Sequence, residues 1–279
     1  MSPSTDQINQ ADIESELIEE MAAFAGELAA AAATETLPAF RNSGPVENKA
    51  QGQDFDPVTA ADQAAERAIR TLIEKRYPDH GIIGEEWDNK DGTSPFAWIL
   101  DPIDGTRGYI AGIPAWTTLI GLTYEQRPVL GLIDQPYIGE RFVGIDTLER
   151  REAWLERGGT RATITTSDCS SLAEAILTST TPDLFNAQEL ARFDTVKDAA
   201  RLTRYGLDAY GYALIAIGTI DVVVEAGLAP YDIQPLIPVI HGAGGVVTNW
   251  DGELPLKGGQ ILAASSAELH SAALSRLKV

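Results

Sequence analysis

The sequence predicts an α+β first half joined to an α/β second half. In the first half, two stretches with apolar residues at helical spacing precede a run of strands separated only by short turns. In the second, past "ERGGTRA", strands alternate with helical segments, the pattern of an α/β unit. That change sets a boundary near residue 160, between an α+β domain of residues 1–160 and an α/β domain of residues 161–279.

Taken in order, Ile13, Leu17, Phe24 and Leu28 share one face of an amphipathic helix expected from Asp6 to about Thr34. "RNSGPVENKAQGQDFDP", Arg41 to Pro57, has no apolar periodicity and is rich in Gly, Pro, Asn and Gln, so it reads as a long mobile loop. Thr59 caps a second helix that runs to Tyr77 and stops at Pro78, with Asp62 in its first turn. "GIIGEE" is a short buried strand ending in two acids, and "FAWIL" is another ending at Asp101. "WTTLIGLTYE", "PVLGLIDQP" and "ERFVGID" follow as consecutive antiparallel strands. The second half supplies the strands "AILTST", "DVVVEA", "GVVTN" and "QILAAS" and the helices "DAYGYALIAIG", "DIQPLIPVIHGA" and "SAELHSAALSRL".

With 44% apolar and 22% charged residues over 279 positions, the chain has the makeup of an ordinary globular protein. Its 41 Asp and Glu against 21 Lys and Arg leave a net charge of -20, which argues against nucleic-acid and membrane partners. Cys169 is the only cysteine, so an internal disulfide and a multi-cysteine zinc site are excluded and a cytoplasmic setting is expected. Met21 to Ala33 is apolar but interrupted by Glu27 and preceded by no basic region, so neither a signal peptide nor a membrane span is expected there.

The informative residues are acids at strand ends. Glu85, Asp101 and Asp104 each follow a short apolar strand or its turn, and Asp232 opens the helix after "GLAPY". Converging carboxylates would repel one another, and a divalent cation removes that repulsion. Oxygen ligands without Cys or His select a hard ion, Mg²⁺ or Mn²⁺. In "DPIDGTRGYIAG" Pro102 stiffens the turn and Gly105 permits close backbone approach. The segment after Gly105 starts a helix whose free N–H groups suit an anion. A phosphate ester answers both features. Each piece alone has an ordinary structural reading as a turn, a helix cap or a surface charge. Their combination in this order points to phosphate-ester hydrolysis.

"DPVTAAD", "GIIGEE", "WILDPIDGT" and "PYD" followed by a helix and "GAGGVVTNWDG" resemble the inositol monophosphatase family of Mg²⁺-dependent, lithium-sensitive phosphatases, over about Ile13 to Leu277. The resemblance implies a layered α/β/α/β/α sandwich. It implies that Glu85, Asp101 and the Ile103 carbonyl hold one metal, that Asp101, Asp104 and Asp232 hold a second, and that Glu85 faces a third, weaker one. It pairs Thr106 with Asp62 as the dyad that takes a proton from the attacking water. It further gives the Gly105 and Thr106 N–H groups to the phosphate, Lys49 and Asp56 to a mobile loop that closes on the metals, and Asp208 and Glu225 to the leaving group. Arg107 is counted with the substrate-binding residues. "TSTTPDLF" and "APYDIQPLIPVIHGAGGVVTNWDG" look most like the histidinol-phosphate phosphatase branch. The expected reaction is therefore hydrolysis of L-histidinol phosphate by a homodimer, with inositol-1-phosphate or a broader range of sugar phosphates as the alternative. A catalytically silent relative would have lost a metal ligand, and none of these acids is lost.

Overall fold

The computed structural model describes residues 13–42, 47–48 and 57–278. Two mixed sheets are separated and flanked by helices in five layers, α/β/α/β/α. The first outer layer is α1, Ser15–Ala39, with α2, Ala60–Arg76. Helix α1 continues past the expected end at Thr34 to Ala39, where Phe40 is buried against Tyr109 and Trp116. Two short strands, β1 (Glu47–Asn48) and β2 (Pro57–Val58), pair antiparallel. Lys49 and Asp56 lie outside the described residues.

Seven strands form the first sheet, in sequence order: β3 (Gly81–Gly84), β4 (Phe96–Asp104), β5 (Thr117–Tyr124), β6 (Arg127–Gln135), β7 (Glu140–Asp146), β8 (Arg151–Arg157) and β9 (Thr160–Thr163). Within this sheet only the edge pair β3–β4 is parallel. Alternation sends Trp98 and Leu100 toward α1 and α2, and sends Leu119, Ile133 and Phe142 toward the middle layer. The hairpin β8–β9 occupies the segment where sequence pattern suggested only a boundary. Charged residues fall on both faces of its strands, Arg151 on one and Glu156 paired with Arg161 on the other, which disguises a strand as a charged turn.

The second sheet has the order β11-β10-β12-β14-β13, built from β10 (Ile176–Ser179), β11 (Leu202–Tyr205), β12 (Val222–Leu228), β13 (Val246–Thr248) and β14 (Gly259–Ala264). Between the sheets lie α5 (Ala209–Ala216), the single turn α6 (Pro230–Ile233) and α7 (Leu236–Gly242). The last layer is α4 (Ala187–Lys197) with α8 (Ala267–Leu277), packed on Val222, Val224 and Leu262. The remaining helix, α3 (Thr106–Ile110), leaves the end of β4. The family-type layering expected from the sequence is the one observed.

Candidate active site

Strand register brings the acids together. Gly84 pairs with Leu100, so Glu85 emerges beside Asp101 at the end of the parallel pair. Asp101 and Asp104 are three residues apart and would point to opposite faces of a regular strand. The pairing of β4 with β5 slips between them: Asp101 lies opposite Leu119 and Asp104 opposite Thr117, three steps against two. This bulge holds Pro102, which has no N–H to lose from the ladder, and resets the side-chain parity. Asp232 arrives from α6, after β12 of the other sheet. One oxygen from each of Asp101, Asp104 and Asp232 lies within 4.8 Å of the others.

The site acids share a second feature, a backbone N–H that holds one carboxylate oxygen. Asp101 Oδ1 accepts from Ile103 N at 3.1 Å, Asp104 Oδ2 from Ala209 N at 2.7 Å, and Asp232 Oδ2 from Ala229 N at 2.7 Å. Glu225 Oε1 accepts from Thr180 N at 2.7 Å and Thr180 Oγ1 at 3.0 Å. Such bonds fix the carboxylate plane and aim the second oxygen. In Glu225 that second oxygen, Oε2, is buried without a hydrogen-bond partner.

These groups surround a cavity of about 200 Å³ lined by Glu85, Asp101, Asp104, Glu225 and Asp232, with Thr106 and Asp208 at its side. A wider hollow shares Thr106, Asp208 and Asp232 with it and reaches Arg107 and Asp183. Burial and then the charges of Glu85, Asp104 and Asp232 hold the Asp101 carboxyl well above its usual range. Asp104 is raised by burial and then by Asp208 and Asp232. Burial, partly offset by Thr180, pushes Glu225 up to about 8. A cluster of this kind needs protons or cations to exist, and its oxygen-only donor set fits a hard divalent cation.

Asp62 uses one carboxylate oxygen to cap its own helix. Its Oδ2 accepts from Thr59 N at 2.9 Å and from the Thr59 hydroxyl, completing the capping box of α2, while Oδ1 is buried without a partner. Burial pushes this carboxyl up to about 6. The Thr106 hydroxyl donates to the Ile103 carbonyl at 3.1 Å, and no hydrogen bond joins Thr106 to Asp62. Gly105, at φ 80°, turns the chain from β4 into α3 and passes beneath Asp208: a Cβ there would lie 3.0 Å from Asp208 Oδ2. Asp208 itself has φ 48°, a strained backbone for a non-glycine residue, and burial raises its carboxyl against the opposing pull of Thr180 and Arg107. Sequence reasoning missed two lining side chains, Thr180 and Tyr212. The Tyr212 hydroxyl is buried without a partner, and its position four residues after Asp208 on α5 was the available signal.

The profile of the inositol monophosphatase family matches residues 17–278 of this chain. The chain belongs to the inositol monophosphatase family. It is similar to a bifunctional phosphatase, IMPL2, of Arabidopsis thaliana chloroplasts, with 39% identity over 81% of this chain and 66% of that protein. A histidinol-phosphatase of Streptomyces coelicolor is 34% identical over 80% of this chain and 85% of its own. An inositol monophosphatase of Zymomonas mobilis superposes with a TM-score of 0.80 at 38% identity, covering 94% of this chain and 98% of its own. This member of the inositol monophosphatase family is accordingly a phosphoric monoester hydrolase, and its acidic cluster could bind a metal. Among the described residues no helix is long and apolar enough to cross a membrane.

Proposed function

We propose that the chain hydrolyses L-histidinol phosphate to L-histidinol and phosphate with Mg²⁺. The observation that carries this reading is the buried Glu225, 2% exposed, with one oxygen fixed by Thr180 and the other unpartnered at the cavity wall, near Asp208. A neutral polyol gains little from two crowded carboxylates, whereas an ammonium or imidazolium group supplies the charge they lack. Relatives named histidinol-phosphatase, such as that of Streptomyces coelicolor, support the same choice.

In this reading Glu85, Asp101, Asp104, Asp232 and the Ile103 carbonyl would hold two Mg²⁺ ions, with a third, weaker one at Glu85; Mn²⁺ would substitute and Li⁺ would inhibit. When bound, the ions neutralise phosphate charge and make a water acidic enough to attack phosphorus. The Gly105 and Thr106 N–H groups hold phosphate oxygens at the start of α3. Thr106 and Asp62 Oδ1 receive the proton of the attacking water, which requires the Thr106 hydroxyl to turn from the Ile103 carbonyl. Asp208 and Glu225 accept hydrogen bonds from the substrate nitrogens, and Arg107 balances Asp208. Residues 1–160 carry most of the metal ligands and 161–279 carry Asp232 and the leaving-group contacts. Lys49 and Asp56 as a closing loop, a homodimer and a cytoplasmic setting belong to the same proposal.

The test is kcat/KM with Mg²⁺ for histidinol phosphate, inositol-1-phosphate, fructose-1,6-bisphosphate and adenosine 3′,5′-bisphosphate. Histidinol phosphate should lead by about tenfold or more, on the order of one charge-assisted hydrogen bond. Preference for inositol-1-phosphate would make the alternative reading correct.

A further inference from the structure

The turn that carries Glu85 begins where strand pairing ends. Its strand, β3, is the edge of the first sheet, paired along its length with β4 and on its other side by a single bridge between Ile82 and Lys90. Past Gly84 the sheet has no more ladder hydrogen bonds to offer, so something else must fix Glu85, Glu86 and Trp87. The fixing comes from α2, at a wholly buried residue. Glu66 is 0% exposed, and its Oε2 accepts from Glu86 N at 2.8 Å. Its Oε1 accepts from Arg70 Nε at 2.7 Å, and Arg70 in turn donates from Nη2 to the Trp87 carbonyl at 3.1 Å. The Trp87 indole donates to the Gln63 carbonyl at 3.3 Å, and Arg67 stacks over its ring at 5.0 Å. Helix α2 therefore grips the turn at Glu86 N, at the Trp87 carbonyl and at the Trp87 ring, all within two residues of Glu85.

The Glu66 carboxylate also presses on the backbone just before Glu85. A Cβ on Gly84 would lie 2.2 Å from Glu66 Oε1 and 2.9 Å from Arg70 Nη2, so any side chain there would have to displace the Glu66–Arg70 pair. Glu66 lies four residues after Asp62, one turn along the same face of α2. One face of one helix thus bears both the proton-accepting acid and the grip on the Glu85 turn.

We propose that Glu66, braced by Arg70, is the positioning residue for Glu85, and that it sets the cation affinity of the site by holding the Glu85 turn beside Asp101. This rests on the reading of Glu85 as a cation ligand. In Glu66→Gln the side chain keeps its size but offers one acceptor and one amide, so either Glu86 N or Arg70 Nε meets a donor.

The experiment is calorimetric titration of the substrate-free protein with Mn²⁺, for the wild type, Glu66→Gln, Arg70→Lys, Glu85→Gln and the double variant Glu66→Gln/Glu85→Gln, each checked for folding by thermal unfolding. Glu66→Gln should weaken Mn²⁺ binding about tenfold, since the carboxylate's hydrogen bonds to a charged partner and to the turn are compromised. Arg70→Lys, which keeps the charge and loses the bridge to Trp87, should weaken it less. The double variant should bind Mn²⁺ no worse than Glu85→Gln alone, because a positioning residue has nothing left to position. In turnover, the Mg²⁺ concentration for half-activation should rise for Glu66→Gln with kcat at saturating Mg²⁺ changed far less. Wild-type Mn²⁺ affinity in Glu66→Gln, or losses that add in the double variant, would overturn the proposal. If Glu66→Gln does not fold, wild-type affinity in Arg70→Lys would overturn it equally. Unchanged Mn²⁺ affinity in Glu85→Gln would instead sink the ligand reading of Glu85, and with it the basis of the proposal.

Discussion

Replacing Glu225 by Gln should cost about ten- to a hundredfold in kcat/KM for histidinol phosphate and little for p-nitrophenyl phosphate. The structure sets the size of the loss. Glu225 Oε1 already accepts from both Thr180 N and Thr180 Oγ1, so a glutamine must place its amide oxygen there to keep those donors. Its NH2 then takes the place of Oε2, the atom left unpartnered at the cavity. The cationic nitrogen of the substrate draws down the Glu225 carboxyl, which burial holds at about 8 in the empty site, so on binding an acceptor bearing charge is replaced by a neutral donor facing the substrate's N–H. A hydrogen bond between charged groups contributes about 1.5–3 kcal/mol, and each 1.4 kcal/mol is a factor of ten. The assay is steady-state phosphate release at saturating Mg²⁺ on both esters. p-Nitrophenol has no cationic nitrogen, so its ester reports the phosphate and metal machinery alone. Equal losses on the two substrates, or a loss below about threefold on histidinol phosphate, would refute the reasoning.

Other outcomes follow from the same geometry. Asp101→Asn, which removes a carboxylate assigned to both metals, should lower kcat by several orders of magnitude, and EDTA should abolish turnover; a loss under about tenfold would displace the site. Because burial pushes Asp62 up to about 6, kcat should fall as pH drops through that region, where the carboxyl becomes protonated and can no longer accept; a flat profile to about pH 5 would count against its role. Lithium at tens of millimolar, roughly the range for a weak hard-cation site, should inhibit, and insensitivity in a phosphate-release assay would contradict the Asp104–Asp232 cation position. His270, 7% exposed, lies 2.8 Å from Thr248 Oγ1, and burial lowers its pKa from 6.5 to about 4. Between those values the unfolded chain binds the extra proton, so stability falls as pH drops from 6.5 toward 4. Urea melts at about pH 7 and about pH 4.5 should show this loss in the wild type and a smaller one in His270→Gln.

Much of the site was legible because its acids sit at strand ends in a fixed chain order, from "GIIGEE" to "PYD". The meander β5 to β7 was legible because it alternates cleanly. The bulge between Asp101 and Asp104 was not, since a parity slip appears only when β4 is laid against Thr117 and Leu119 of β5. The amphipathic stretch of α4 went unread although Asn186 and Glu189 form a capping box, and β11 is a four-residue edge strand too exposed to show a pattern. Glu66 was invisible for a different reason. A Glu followed four residues later by Arg looks like a solvated helix pair, and only the fold reveals that the Glu is wholly buried beneath a turn distant in sequence.

The clustered acids come from separate regions of the molecule: Asp101 and Asp104 from a strand of the first sheet, Asp232 from the helical turn that follows β12 of the second. Any ion they hold is therefore a rivet through the middle of the sandwich, and its binding energy is folding energy. At a free concentration about a hundredfold above its dissociation constant, such an ion adds about 2.7 kcal/mol to the stability of the whole chain. Chelation should accordingly lower the melting temperature as well as stop turnover. In the metal-stripped protein, acid should do some of the cation's work, because protons relieve the same crowding at Asp101 and Asp104.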